Sequence, residues 1–335
     1  MKDLKTFNNI LIVRTDRIGD VVLTTPAIKA LREQYPTARI SILVASATFD
    51  LVNGNPYVDE ILVDDRPGAH KGLLGFWRLI RELRSKRFDL AVIFHTKRRT
   101  NMAAALASIP YRLGYKNNKF GFLLSHPLKD VRHFGQKHEA EYCMDVLKVI
   151  GIENNGLDIF VPLQKEAEGW VHDWMRDNNL KPHEFIVIHP GSSDIAKCWP
   201  TANFALLMDR LAEKYALKIV LIGSFQTAPV ADEIIKLAGK AALINLTGKT
   251  SLAQTVSLLR QARLLISNDS GPVHIAAGVG TSVISLFLRD QPGINAERWR
   301  PLGNKGLVLV GSIKVEDVLE LVDQIFQKDG QYEIF

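Results

Sequence analysis

Leu264-Leu-Ile-Ser-Asn-Asp-Ser-Gly-Pro-Val-His-Ile-Ala-Ala-Gly278 passes from an aliphatic run, through polar turn residues, into an Ala- and Gly-rich helical pattern. A strand over Leu264–Ser267 that leads straight into a helix over Pro272–Gly278 is half of a βαβ unit, the building block of parallel sheets. Asp269 or Ser270 suits the helix N-cap, Pro272 its first turn, and Gly271 lets backbone approach a ligand closely. Amide groups at such a helix start, with the positive end of the helix dipole, favour an anion. The same residues would also serve a well-capped helix with no ligand.

Outward from this stretch the pattern repeats. Phe185–His189, Lys218–Ile222, Ala242–Ile244 and Ser282–Phe287 read as further strands, with helical patterns near Phe204–Lys214, Pro229–Ala238 and Leu252–Arg260. Earlier in the chain Ile10–Val13, Ile40–Ala45, Glu60–Val63 and Leu90–Phe94 read as strands, and Val21–Gln34 as a helix with Leu23, Ile28 and Leu31 on one face. The halves echo one another: strand, Gly- or Ser-containing loop, helix ending at a tyrosine (Tyr35, Tyr215), then a strand opening on Arg39-Ile40 or Lys218-Ile219. This predicts two doubly wound α/β domains in tandem, residues 1–160 and 161–335, joined through Gly151–Leu157 and Val161-Pro162. A length of 335 residues, 47% hydrophobic, suffices for two cores. Ligands of open α/β sheets bind at the C-terminal ends of strands, so a cleft between the halves is the expected site.

Lys and Arg number 42 against 36 Asp and Glu, a net charge of +6 that favours anionic partners. Cys143 and Cys198 lie far apart and outside any metal-ligand spacing, which argues against a disulfide framework or zinc site. Met1–Asn9 has no apolar export region and no long apolar run follows, so a cytoplasmic protein, touching a membrane at most from that side, is expected. Residues Lys328–Phe335 read as a loosely docked end without a role.

Three loops carry candidate chemistry. In His189-Pro-Gly-Ser-Ser193 and Lys197-Cys-Trp-Pro200, Ser192 and Ser193 offer donors and Lys197 a cation for a phosphate leaving group, although a surface lysine and a packed Trp199 would read the same. In Arg14-Thr-Asp-Arg-Ile-Gly-Asp20, Asp20 stands where a helix N-cap is expected; at the top of a parallel strand it is also placed for general-base work, with Asp16 as rival. Basic residues gather at Arg78, Arg81, Arg84, Lys86 and Arg87, where Phe76, Trp77, Leu79, Ile80 and Leu83 fit either a membrane-surface helix or a crossover helix packing on its own sheet. Lys97, Arg98 and Arg99 follow a strand and fall near the expected cleft. No aromatic-interleaved basic platform suggests nucleic acid. GxGxxG, GxxxxGK[ST] and GxSxG are absent, which disfavours dinucleotide oxidoreductases, P-loop NTPases and ordinary α/β-hydrolases. No Asp-x-Asp is present to hold a metal against a sugar nucleotide, and no cofactor is expected.

Together the chain resembles glycosyltransferase family 9, which contains the ADP-heptose:lipopolysaccharide heptosyltransferases. The resemblance rests on Ile10–Asp20 followed by Thr25-Pro-Ala27, on His189–Ser193 with Lys197–Pro200, on Asn245-Leu-Thr-Gly-Lys-Thr-Ser-Leu252, and on Asn268–His274 in that order. It implies a GT-B architecture and inverting, metal-independent transfer of heptose from ADP-heptose to a lipid-linked anionic sugar of the lipopolysaccharide inner core. Asp20 matches the base that follows the loop glycine, Gly19, itself placed with the donor contacts. Ser192, Ser193 and Lys197 match contacts to the donor phosphates and sugar, with Lys197 taking the leaving diphosphate. Asp269, Ser270, Gly271 and His274 match the second donor loop, and Thr250 falls near the nucleotide base. Arg14, Arg17, Lys97, Arg98 and Arg99 are the candidates for an anionic acceptor. The chain departs from the family at Ser224-Phe-Gln-Thr227, where an acidic nucleoside contact is usual, at Leu288-Arg-Asp-Gln-Pro292, and in the charge of its first loop. Another nucleotide sugar or acceptor, an epimerase, and a non-catalytic nucleotide-sugar-binding protein therefore stay open.

Overall fold

The computed structural model describes residues 6–153, 156–215, 217–239 and 243–328. The chain divides into two compact units, Met1–Pro162 and Leu163–Phe335. Ala242 of the expected strand Ala242–Ile244, Asn154 and Asn155 of the expected linker, residues 1–5 and the tail from Asp329 lie outside the described residues.

The first unit runs β1 (Asn9–Arg14), α1 (Ile18–Val22), α2 (Thr25–Gln34), β2 (Arg39–Ala45), β3 (Glu60–Asp64), α3 (Gly72–Lys86), β4 (Leu90–Ile93), α4 (Arg98–Leu106), β5 (Tyr111–Lys116), β6 (His126–Lys129) and α5 (Glu139–Leu147). Its strands are all parallel in the order β3-β2-β1-β4-β5-β6, with Ile10 beside Ile40 and Leu90. Leu11 and Val13 pack among Leu79, Ile80 and Leu83 of α3 and Ala103 and Ala104 of α4. Ile10 and Ile12, alternating to the other face, are as fully buried, which is why β1 is an unbroken aliphatic run. Each such side chain contributes roughly 1.5–3 kcal/mol on burial.

The second unit runs α6 (Lys165–Asp177), β7 (Phe185–His189), α7 (Thr201–Tyr215), β8 (Lys218–Leu221), α8 (Ala228–Leu237), β9 (Leu243–Asn245), α9 (Leu252–Gln261), β10 (Leu264–Asn268), α10 (Gly271–Gly278), β11 (Ser282–Phe287), α11 (Ala296–Trp299), β12 (Gly306–Val310) and α12 (Val315–Lys328). Its parallel sheet, β12-β11-β10-β7-β8-β9, has the same strand order as the first when counted from β7. Each sheet therefore reverses direction of winding once, between β1 and β4 and between β7 and β10. Those are the positions where an open α/β sheet holds its ligand.

The helix expected over Val21–Gln34 is two helices. The Thr24 hydroxyl donates to the Asp20 carbonyl at 2.8 Å and the Thr25 hydroxyl to that of Val22 at 2.7 Å, while Pro26 brings no N–H to the next turn. Leu23, Ile28 and Leu31 are nonetheless all buried. The basic stretch around Arg78 is the crossover helix α3, whose Phe76, Leu79, Ile80 and Leu83 face its own sheet. Among the described residues no helix is long and apolar enough to cross a membrane.

Candidate active site

In the first unit, β1 ends on Arg14, only 1% exposed, at the C-terminal end of the strand where the order reverses. Its Nη2 lies 2.5 Å from Asp20 Oδ1 and 3.0 Å from Glu139 Oε1, while Nε donates to the Asp20 carbonyl at 3.0 Å and sits 3.2 Å from Asp16 Oδ1. One guanidinium thus serves three carboxylates, and those carboxylates outweigh burial to hold it charged. Burial pushes the Asp20 carboxyl up to about 7; Arg14 opposes this, and the negative neighbours Asp16 and Glu139 add to it. Asp16 is raised for the same first reason.

The expected N-cap role of Asp20 is not what the structure has. Arg17 occupies the N-cap of α1, and Asp20 lies inside the helix with its carboxylate on Arg14. Around this cluster, Cys143 lies 3.8 Å from the Thr24 hydroxyl, with its thiol pushed up to about 12 by burial. His95, after β4, lies 3.0 Å from the Thr15 hydroxyl and is pushed down to about 3, first by burial and then by Arg14 and Lys97.

The basic candidates separate. Arg14 is spent on carboxylates. Arg99 clasps Asp64 with bonds of 2.9 and 2.7 Å and reaches the His70 carbonyl at 3.0 Å. Burial works against the Asp64 charge, yet Arg99 and Arg66 hold its pKa below the usual range. Arg17, Lys97 and Arg98 are exposed. Lys97 opens α4 beside Lys119, and that second ammonium, followed by desolvation, lowers its pKa.

In the second unit the loops after β7 and β10 are tied together. His189 Nδ1 lies 3.1 Å from the hydroxyls of both Ser267 and Ser270, which are 2.8 Å apart, and burial pushes the imidazole down to about 4. Ser192 donates to the Asp269 carbonyl at 3.1 Å, and Lys197 Nζ lies 2.5 Å from Asp269 Oδ2. Asn268 accepts from the Trp199 amide at 2.9 Å and donates to the Pro190 carbonyl at 2.6 Å, and Trp199 is buried packing, as its aromatic character allowed. Ser193 follows Ser192 in the same loop, Gly271 is the first residue of α10, and His274 is buried within it.

The glycines of neighbouring loops are needed for close approach. A Cβ on Gly191 would lie 2.9 Å from Thr227 Oγ1, and one on Gly223 2.8 Å from Thr227 Cβ. Thr250 precedes the α9 capping box, its hydroxyl 3.0 Å from that of Thr255. In Ser224–Thr227 the Ser224 hydroxyl binds Gln226 at 2.9 Å, and Phe225 is exposed.

Glu139, His95, His189 and Ser267 were not singled out from sequence. For Glu139 a signal existed: His138 and Glu141 form a capping box at the start of α5, which places Glu139 in a first helical turn. The pairing of Glu139 with Arg14, 125 residues away, has no local signature. Among the described residues no group of three or more His, Cys, Asp or Glu is arranged to hold a metal ion.

Two Rossmann-like units, each with its polar loops at the reversal of strand order, define a GT-B fold. Residues 76–318 match the model of glycosyltransferase family 9 (heptosyltransferase), and the chain belongs to that family. It is similar to lipopolysaccharide heptosyltransferase 3 of Escherichia coli strain K12, 28% identical over 280 residues that span 80% of this chain and 79% of the relative. Two solved structures share its fold. The glycosyl transferase family 9 protein from Veillonella parvula DSM 2008 aligns with a TM-score of 0.88 at 21% identity, over 97% of this chain and 98% of that one. E. coli ADP-heptose lps heptosyltransferase II aligns with a TM-score of 0.76 at 20% identity, over 96% and 99%.

Proposed function

We propose that the chain transfers a heptose from ADP-heptose to an anionic, lipid-linked sugar of the lipopolysaccharide inner core, at the cytoplasmic side of the membrane, with inversion and without a metal. The first unit takes the acceptor and the second the donor. Asp20 accepts the proton of the acceptor hydroxyl as that oxygen bonds to the anomeric carbon. The bond from that carbon to the diphosphate breaks, and Lys197 and the start of α10 take the charge of the departing ADP. Ser192, Ser193, Gly19, Thr250, Asp269, Ser270, Gly271 and His274 are the donor contacts of this reading. Arg17, Lys97 and Arg98 meet the acceptor anion, while Arg14 and Arg99 act through the carboxylates they hold.

The observation that carries the reading is the Arg14-held Asp20 at the switch point, with a pKa of about 7 that leaves it able both to hold and to take a proton near neutrality. Relatives named as lipopolysaccharide heptosyltransferases support the substrates. A second reading, the same chemistry on a different nucleotide, is favoured by the Ser224–Thr227 loop, which offers no carboxylate to a nucleoside.

The test is turnover with ADP-heptose and a deacylated inner-core acceptor in excess EDTA, beside other sugar nucleotides. Heptose transfer that Asp20→Asn abolishes supports the proposal. Transfer from another nucleotide alone moves the assignment to the second reading, and a requirement for added metal overturns the mechanism.

A further inference from the structure

The face of α3 turned away from its sheet carries side chains that the core does not use. Phe76, Leu79, Ile80 and Leu83 fill the inner side, yet Leu73, Leu74 and Trp77 stand 72, 85 and 47% exposed at the opening of the same helix. Single exposed aliphatics are ordinary on a protein surface, but three within five positions make a patch. Beyond it the outward side continues with Arg78, Arg81 and Arg84, all exposed. The helix's one acid, Glu82, is half-buried with a carboxylate oxygen 3.5 Å from His70 Nε2.

The helix leaves from the C-terminal end of β3, the edge of the sheet that also bears Asp20. Asp64, the last residue of β3, binds Arg66, and Arg66 donates to the Thr15 hydroxyl at 3.3 Å in the loop after β1.

We propose that the opening of α3 is a docking wedge that seats the first unit on an anionic lipid bilayer. Leu73, Leu74 and Trp77 enter the interfacial layer, where an indole is favourably placed, and Arg78, Arg81 and Arg84 lie among the headgroup phosphates. The combination of an apolar tip with exposed arginines fits this occupant, since anionic headgroups match the charge while the acyl boundary takes the tip. The purpose of the docking, presenting a lipid-linked acceptor to the edge that bears Asp20, rests on the function proposed above.

The test is co-sedimentation with phosphatidylglycerol/phosphatidylcholine vesicles and with phosphatidylcholine vesicles alone. The wild type binds the anionic vesicles, and salt releases it. Leu73→Ser/Leu74→Ser/Trp77→Ser and Arg78→Gln/Arg81→Gln/Arg84→Gln each weaken binding on the order of tenfold or more. Both variants melt as the wild type does and transfer sugar to a deacylated, water-soluble acceptor at the wild-type rate. Wild-type protein that ignores anionic vesicles, or variants that bind them undiminished, overturn the proposal. So does a dimer in solution that the serine variant dissociates, since a second copy would then cover the face. Vesicle binding by a protein that transfers no heptose leaves the docking standing and removes the proposed function alone.

Discussion

Lys197 and Asp269 meet as an ion pair, Nζ to Oδ2 at 2.5 Å, linking the two loops that flank the β7–β10 switch point. Both side chains are largely shielded from water, so neither is an idle surface charge. On the proposed function, a diphosphate bound here would have to compete with Asp269 for the ammonium. Lys197→Met is expected to lower kcat/KM by on the order of 10² to 10³, as loss of one charge-stabilising donor does elsewhere. Differential scanning fluorimetry is expected to lose the stabilisation by ADP in that variant, whereas Asp269→Asn, which frees the lysine, keeps it. An ADP response in Lys197→Met equal to wild type would remove Lys197 from the donor site.

Asp20→Asn is expected to cut turnover by on the order of 10² to 10⁴ while nucleotide still raises the melting temperature. Because a base must be ionised, kcat/KM should rise with pH through an inflection near 7, the value to which burial raises Asp20. Removing a neighbouring negative charge with Glu139→Gln should move that inflection to lower pH. An inflection that stays in place in Glu139→Gln would disconnect Glu139 from the base.

The same carboxyl bears on stability with a definite sign. Its folded pKa lies above its unfolded one, so its contribution is present in acid and is lost as pH rises from the usual carboxylate range to about 7. Relative to wild type, Asp20→Asn should therefore gain melting temperature as pH rises from about 4 to about 7. Parallel curves for the two proteins would contradict this.

Half-buried His95 and buried His189 act in the opposite direction. His95 and His189, pushed down to about 3 and about 4, are neutral in the fold and charge more readily in the unfolded chain. Stability should fall as pH drops below the ordinary histidine range, and His189→Gln should flatten that fall, as urea titrations at several pH values would measure.

Gly191→Ala should destabilise by about 1–3 kcal/mol, the usual cost of overpacking, and weaken ADP binding. Two of the three close contacts of the added methyl are with the Thr227 side chain and the third, at 3.2 Å, is with His189 Nε2. Thr227→Ala should recover most of the loss in the double variant; equal melting temperatures for Gly191→Ala with and without it would refute the packing argument.

The central strands were legible because parallel sheets bury both faces, which leaves runs such as Ile10–Val13 and Leu264–Ile266 without polar interruptions. The loops after them were legible because Gly, Ser, Asp and Pro at a strand-to-helix turn have few other uses. β5, β6 and β12 were missed: Tyr111–Lys116 and His126–Lys129 mix polar and apolar residues, and β6 and β12 (Gly306–Val310) lie at sheet edges. The carboxylate cluster was half legible. Arg14, Asp16 and Asp20 stand within seven residues, but Glu139 joins them only through the fold. The break at Thr24 was hidden because Leu23, Ile28 and Leu31 keep their burial whether or not the helix is continuous.

Each six-stranded sheet is made from one uninterrupted stretch of chain, β1 to β6 and then β7 to β12. During synthesis, the first sheet can therefore assemble once Lys129 has cleared the ribosome, and Glu139 follows soon after to close on Arg14. The first unit can thus mature while the second is still being translated, which shortens the time that aliphatic strands of either sheet spend exposed to the wrong partner.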